Sequence, residues 1–133
     1  MIKNIQLVVF DFDGVFTDGK VFMNGNGEIL KNYNCKDATH LDLLRKKNIP
    51  IGVISGYGEN DSQMQILKRL KINHIQLGCE NKLKVLQKWC ESLGISLSEH
   101  VAYMGDDIND MEVLKKVALS ACPQDAHLSC KRI

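Results

Sequence analysis

The sequence predicts an α/β fold: a Rossmann-like parallel sheet with helices on both faces, and a β-hairpin after the first strand. Three observations carry this. Short apolar runs rich in Val and Ile alternate with segments of helical periodicity. Alternation of that kind produces βαβ units, and βαβ units give parallel strands. The polar residues of greatest chemical interest fall where those runs end, and in a parallel sheet such exits share one edge.

The elements follow in order. Ile5-Gln6-Leu7-Val8-Val9-Phe10 is short, β-branched and bounded by turn residues, so it reads as a buried strand. Lys20 to Met23 and Glu28 to Tyr33 flank Asn24-Gly25-Asn26-Gly27. Asn-Gly steps supply the positive φ angles of a tight hairpin. This hairpin follows the first strand's exit and is placed to act as a flap over it. Asp37 to Lys47 reads as a helix with Ala38, Leu41 and Leu44 on one face. Ile49 to Ile54 is a strand ending at Ser55-Gly56. Glu59 to Leu70 is a second helix, with Met64, Leu67 and Leu70 inward, and His74 to Leu77 a short strand. Asn81 to Leu93 is a third helix, with Leu83, Leu86, Cys90 and Leu93 inward and Gly94 as its C-cap. Val101 to Met104 is a strand running into Gly105-Asp106-Asp107. A short helix around Asp110 to Lys116 and a last strand, Val117 to Ser120, complete the pattern.

The 133 residues suit one domain, 1–133, with a true hydrophobic core. A net charge of +1 gives no electrostatic case for nucleic acid or an anionic membrane. No apolar run approaches a membrane span. The first apolar segment is short and runs into Asp11, unlike a signal peptide, so a cytoplasmic location is expected. The five cysteines are odd in number, contain no Cys-x-x-Cys and match no zinc spacing, which reads as reduced thiols. The four histidines are scattered and form no i, i+4 pair.

Asp11 and Asp13 stand at i and i+2 just beyond the first strand, so their side chains point to the same side. Buried like charges are costly unless a cation or proton shares the site. Magnesium and a phosphate ester would resolve that cost. An aspartate can attack phosphorus, and a second carboxylate can protonate the leaving oxygen and later deprotonate water. Mg²⁺ takes hard oxygen ligands, and a lysine and a hydroxyl can hold the equatorial phosphoryl oxygens. Ser55, Lys82 and Asp106 supply these at successive strand exits or helix starts. Each alone has a plainer reading: Asp-x-Asp as turn chemistry, Ser55-Gly56 as a turn, Lys82 as a solvated helix lysine. Gly105 to Asp110 alone could be a loop and N-cap, or a weak calcium loop without EF-hand spacing. The weight lies in all four appearing in one order.

With those residues in view, the chain resembles a haloacid dehalogenase superfamily phosphatase. Asp11-Phe12-Asp13-Gly14-Val15-Phe16-Thr17 resembles the first motif of that family and Ile54-Ser55-Gly56 the second. Asn81-Lys82 resembles the third, and Gly105-Asp106-Asp107-Ile108-Asn109-Asp110 the fourth. The Thr17-Asp18-Gly19 continuation, the hairpin and Lys36-Asp37 are similar to one subgroup without a large cap domain. It contains 3-deoxy-manno-octulosonate 8-phosphate phosphatases, nonulosonate 9-phosphate phosphatases and the C-terminal domain of acylneuraminate cytidylyltransferases.

The resemblance implies an HAD-like fold and Mg²⁺-dependent hydrolysis of a phosphorylated sugar acid, in lipopolysaccharide or sialic-acid biosynthesis. It implies Asp11 as nucleophile and Asp13 as general acid and base. Asp11, Asp106 and the Asp13 carbonyl would bind metal, with Asp107 and Asp110 behind them orienting waters or Lys82. Ser55 and Lys82 would hold the phosphoryl group, with Asn34, Lys36, Asp37 and Tyr57 in the substrate-contacting set. It implies a homotetramer with hairpins packed centrally. Tyr57 stands where the phosphatases usually carry arginine, Ala38 replaces a usual glycine, and the sequence stops at Lys131-Arg132-Ile133, before the subgroup's glycine-rich tail. Two other readings compete: a non-catalytic oligomerisation or regulatory domain of sialic-acid activation, and a response-regulator receiver. A receiver would carry its aspartate after the third strand, where Gly78-Cys79 stands.

Overall fold

Strand β1 (Leu7–Phe10) is the centre of the molecule, as its unbroken apolar sequence requires. The computed structural model describes residues 4–133. After β1 the chain makes a hairpin, β2 (Phe22–Met23) and β3 (Ile29–Leu30), then helix α1 (Cys35–Lys46) and strand β4 (Ile51–Ile54). Helix α2 (Asp61–Arg69), strand β5 (His74–Gln76) and helix α3 (Lys82–Leu93) follow. A single turn α4 (Leu97–His100) leads into β6 (Val101–Met104). A 3₁₀ turn (Ile108–Asp110), α5 (Met111–Leu114), β7 (Leu119–Ala121) and α6 (Leu128–Lys131) complete the chain.

The five-stranded sheet has the order β5-β4-β1-β6-β7, and all its pairings are parallel. The chain moves outward from β1 through β4 to β5, then returns to the other side of β1 for β6 and β7. Strand order therefore reverses at β1, and open α/β sheets bind ligands at such reversals. Two apolar clusters cover the two faces. Leu7, Val9 and Tyr103 pack with Leu83 and Leu86 of α3 and Val113 of α5. Phe12, Ile51 and Val53 pack with Leu41 of α1 and Ile66 and Leu67 of α2. Burying each of these side chains is worth about 1.5–3 kcal/mol.

Several boundaries differ from the sequence expectation. Strand β4 starts at Ile51, after Pro50, which has no N–H for the ladder but offers its carbonyl to the Val8 amide. The two hairpin strands pair over two residues each, with Asn24 Oδ1 accepting from the Asn26 and Glu28 amides across the turn. Helix α1 begins at Cys35 because Asn34 caps it, and α2 begins at Asp61 because Asn60 caps it. Gly94 ends α3 with φ +67°, as expected, but Leu93 is exposed rather than inward. The expected helix over 110–116 is instead a 3₁₀ turn with one α-helical turn, and the last strand falls two residues later, at Leu119–Ala121. The turns α4 and α6 carried no sequence signal; one turn is too short to show periodicity. Among the described residues no cap domain interrupts the fold.

Candidate active site

The ends of β1, β4 and β6 open into one cavity of about 500 Å³ lined by Asp11, Asp13, Ser55, Tyr57, Asp106 and Asp107. Parallel pairing does this: Asp11 donates its amide to the Met104 carbonyl, so the first carboxylate sits beside the end of β6. Gly14 turns the chain away with φ +81°. A Cβ there would lie 1.8 Å from Asp106 Oδ2, so close approach of the two acidic loops requires glycine. Thr17 Oγ1 closes the loop by accepting from the Gly14 and Gly19 amides.

Asp11 is nearly buried. Its Oδ1 accepts from the Phe12 amide at 2.7 Å and lies 3.1 Å from Lys82 Nζ. Lys82 opens α3, is itself buried, and also donates to Asp110 Oδ1 at 2.9 Å. Asp110 is fully enclosed, accepting from the Tyr103 hydroxyl at 2.5 Å and from the Asp106 and Asp107 amides. It thus orients Lys82 and closes the Asp106 loop. Asp107 caps the 3₁₀ turn through the Ile108 amide and faces the cavity. His127 donates its amide to the Asp106 carbonyl, so α6 buttresses the same loop. Ser55 is buried at the end of β4, where its hydroxyl accepts from the Tyr57 amide.

Burial and then the charge of Asp110 push Asp11 up to about 8, against the attraction of Lys82. Burial also raises Asp106. Burial pushes Asp110 the same way, but Lys82 and the Tyr103 hydroxyl outweigh it and hold Asp110 below the usual carboxylate range. Burial disfavours the Lys82 charge, and Asp11 and Asp110 overcome that to raise it. Burial and Asp110 hold the Tyr103 hydroxyl firmly protonated.

Carboxylate oxygens of Asp11, Asp106 and Asp110 lie within 4.8 Å of one another. Asp110 spends its oxygens on four internal donors, which leaves Asp11 and Asp106 as the acids able to ligate. Two hard oxygens raised by burial fit a divalent cation, which would reverse the cost of holding both charged.

The remaining sequence-predicted residues divide. Tyr57 lines the same cavity. Asn34, Lys36 and Asp37 do not: they line a separate cavity of about 680 Å³ with Thr17 and Asp18. Asn34 is committed to capping α1. The hairpin strands do not line the Asp11 cavity either; Gly19, before β2, does.

The structure adds residues that were not foreseen. Lys31, just after β3, forms a 2.8 Å ion pair with Asp13. Gln63 accepts from Lys31. Tyr103 holds Asp110, and Asn109 lines the cavity. A faint signal existed for two of them. Gln63 lies on the α2 face that carries Leu67 and Leu70, and Tyr103 is a hydroxyl in a core strand, which must find a partner.

Comparison with known proteins agrees with this fold. A solved structure of a putative 3-deoxy-D-manno-octulosonate 8-phosphate phosphatase from Vibrio cholerae superposes with a TM-score of 0.91 at 34% identity, covering 98% of this chain and 72% of that one. This chain belongs to the haloacid dehalogenase-like hydrolases. The model of that family matches residues 68–133. Other members of the family extend the likeness. The 3-deoxy-D-manno-octulosonate 8-phosphate phosphatase KdsC of Salmonella typhi is 38% identical over 125 residues, 94% of this chain. This chain spans 65% of that relative's length. The Moraxella catarrhalis 3-deoxy-D-manno-octulosonate 8-phosphate phosphatase, solved with a magnesium ion, a phosphate ion and a KDO molecule, has a TM-score of 0.90 at 30% identity, covering 96% of this chain and 72% of that one.

Proposed function

We propose that this chain is a Mg²⁺-dependent phosphomonoester hydrolase acting on a sugar-acid phosphate of the 3-deoxy-octulosonate 8-phosphate type. The observation that carries the reading is the convergence of Asp11, Asp13, Ser55 and Asp106 on one cavity, with Lys82 on Asp11. The similar phosphatases supply the substrate class.

Asp11 attacks phosphorus, and the ester P–O bond breaks with its electron pair on the leaving oxygen. Asp13 gives that oxygen a proton, and an aspartyl phosphate remains on Asp11. Asp13 then takes a proton from water, which attacks phosphorus, and orthophosphate leaves as the Asp11 oxygen is released. Lys82 and Ser55 hold the phosphoryl oxygens through both steps. Asp11 and Asp106, with the Asp13 carbonyl, would hold Mg²⁺, which neutralises phosphoryl charge when bound. Lys82 stays charged because the Asp11 and Asp110 carboxylates both contact it.

The hairpin carries Val21, Phe22, Met23 and Leu30 with about half or more of each side chain exposed. An apolar surface of that kind supports self-association through the hairpin, which the subgroup resemblance gives as a tetramer.

The test is a panel of sugar and sugar-acid phosphates with purified protein. Phosphate release that needs Mg²⁺ and stops with EDTA is expected, with 3-deoxy-octulosonate 8-phosphate among the best. A protein inert across the panel would sink the enzyme reading. Light scattering showing a stable monomer would remove the oligomer.

A further inference from the structure

Besides Lys82, the described residues bury one more lysine near the cavity, Lys31. Its backbone is fixed at both ends of the residue: the amide donates to Ser62 Oγ, and that hydroxyl donates back to the Lys31 carbonyl. Its Nζ lies 2.8 and 3.1 Å from the two Asp13 carboxylate oxygens and 2.8 Å from Gln63 Oε1. The Tyr57 ring covers the ammonium, with its centroid 3.9 Å away. The Lys31 side chain is 1% exposed, while that of Asp13 is 38% exposed.

This seat is costly by itself. A buried ammonium loses its hydration, and only good partners offset that. Gln63 is fully buried, and its Nε2 has no hydrogen-bond partner among the described residues. An ammonium only donates, so the amide oxygen must face Lys31 and the amide nitrogen is left over. An apolar residue would fit the Leu67 and Leu70 face without that penalty. Among the described residues the Gln63 side chain makes one hydrogen bond, and it is to Lys31. The arrangement ends on the Asp13 carboxylate, which is partly exposed and lines the cavity.

We infer that Lys31, seated by Gln63 and Tyr57, is a positioning residue that holds the Asp13 carboxylate where it protonates the leaving oxygen. Each of the two aspartates then has its own cation, Lys82 for Asp11 and Lys31 for Asp13. Separate anchors keep nucleophile and proton donor from being drawn onto one ammonium. The inference rests on the phosphatase reading above.

Leaving-group dependence separates a positioning role from a purely structural one. p-Nitrophenolate departs without a proton; the primary alkoxide of 3-deoxy-octulosonate 8-phosphate does not. The ratio kcat/KM reports the step that expels the leaving group, before water enters. With Mg²⁺ present, Lys31→Met should lower kcat/KM about 100-fold on the sugar-acid phosphate and less than about fivefold on p-nitrophenyl phosphate, the span of general-acid assistance. Asp13→Asn should show the same split, and the double variant should be no worse than Asp13→Asn alone. Gln63→Leu keeps the lysine and fills the buried site, and should show the split in reduced form, about tenfold on the sugar-acid phosphate. If Lys31→Met does not fold by circular dichroism, Gln63→Leu decides. Equal losses on both substrates, or no loss on either, overturn the inference. Wild-type protein inert on both substrates overturns the phosphatase reading and this inference with it.

Discussion

The two lysine–carboxylate pairs of the site stand in different surroundings. Lys82 is anchored within the sheet-and-helix core, bridging Asp11 and Asp110, with Tyr103 and two backbone amides completing the network. Lys31 reaches Asp13 from the hairpin's exit, supported by α2 and by the Tyr57 ring. In the first pair both partners are nearly enclosed; in the second the carboxylate still meets water. Under the proposed mechanism the core pair bears on stability as well as on the phosphoryl group, whereas the peripheral pair bears mainly on one carboxylate's orientation. That mechanism sets the nucleophile in the rigid network and the proton donor at the open edge.

Asp11→Asn has the largest expected effect. Turnover should fall roughly 10⁴-fold or more, as for other nucleophile removals, with a cooperative unfolding transition retained. A variant still hydrolysing phosphate esters near the wild-type rate would remove Asp11 from its role. Lys82→Met should come next on the stability scale. It strands Asp110 as an enclosed, unpaired charge, a loss of about 3–5 kcal/mol in urea unfolding. Lys31→Met should cost only about 1–2 kcal/mol, because water reaches Asp13 and one amide acceptor is left unpaired. Equal losses from the two lysine variants would erase the contrast between the pairs.

Metal and pH sharpen the same contrast. With Asp11 pushed up to about 8, the chelated folded protein holds a proton that the unfolded chain releases near 4. Its stability should then decline as pH rises through that window. Mg²⁺ displaces the proton, so its affinity should rise with pH up to about 8. The thermal shift on adding Mg²⁺ should accordingly be larger at pH 8 than at pH 6, and about 2.7 kcal/mol where Mg²⁺ exceeds its Kd a hundredfold. A shift independent of pH would show that Asp11 is not the titrating ligand. Tyr103→Phe takes one donor from enclosed Asp110 and should cost about 1–3 kcal/mol by calorimetry.

The legible part of this site was the part written in short-range pattern. Asp11 and Asp13 announce themselves by following an apolar run, and Ser55, Lys82 and Asp106 by standing at later strand exits. Lys31 could not be seen that way. It lies just after the hairpin's second strand, and nothing local shows whether a lysine there faces solvent or a carboxylate 18 residues earlier. Asn34, Lys36 and Asp37 entered through the family resemblance alone; in the fold they line a neighbouring cavity, and Asn34 caps α1.

By itself the sequence determined the α/β class, the parallel order implied by alternating elements, and the carboxylates that fit a metal and a phosphate. Periodicity and turn chemistry act over a few residues, so they can be read along the chain. Which cation holds which carboxylate was decided by tertiary structure. It depends on the register that sets β1 between β4 and β6, and on the hairpin docking against α2. Burial, which raises Asp11 while Lys82 and Tyr103 hold Asp110 low, exists only once those elements close around the site.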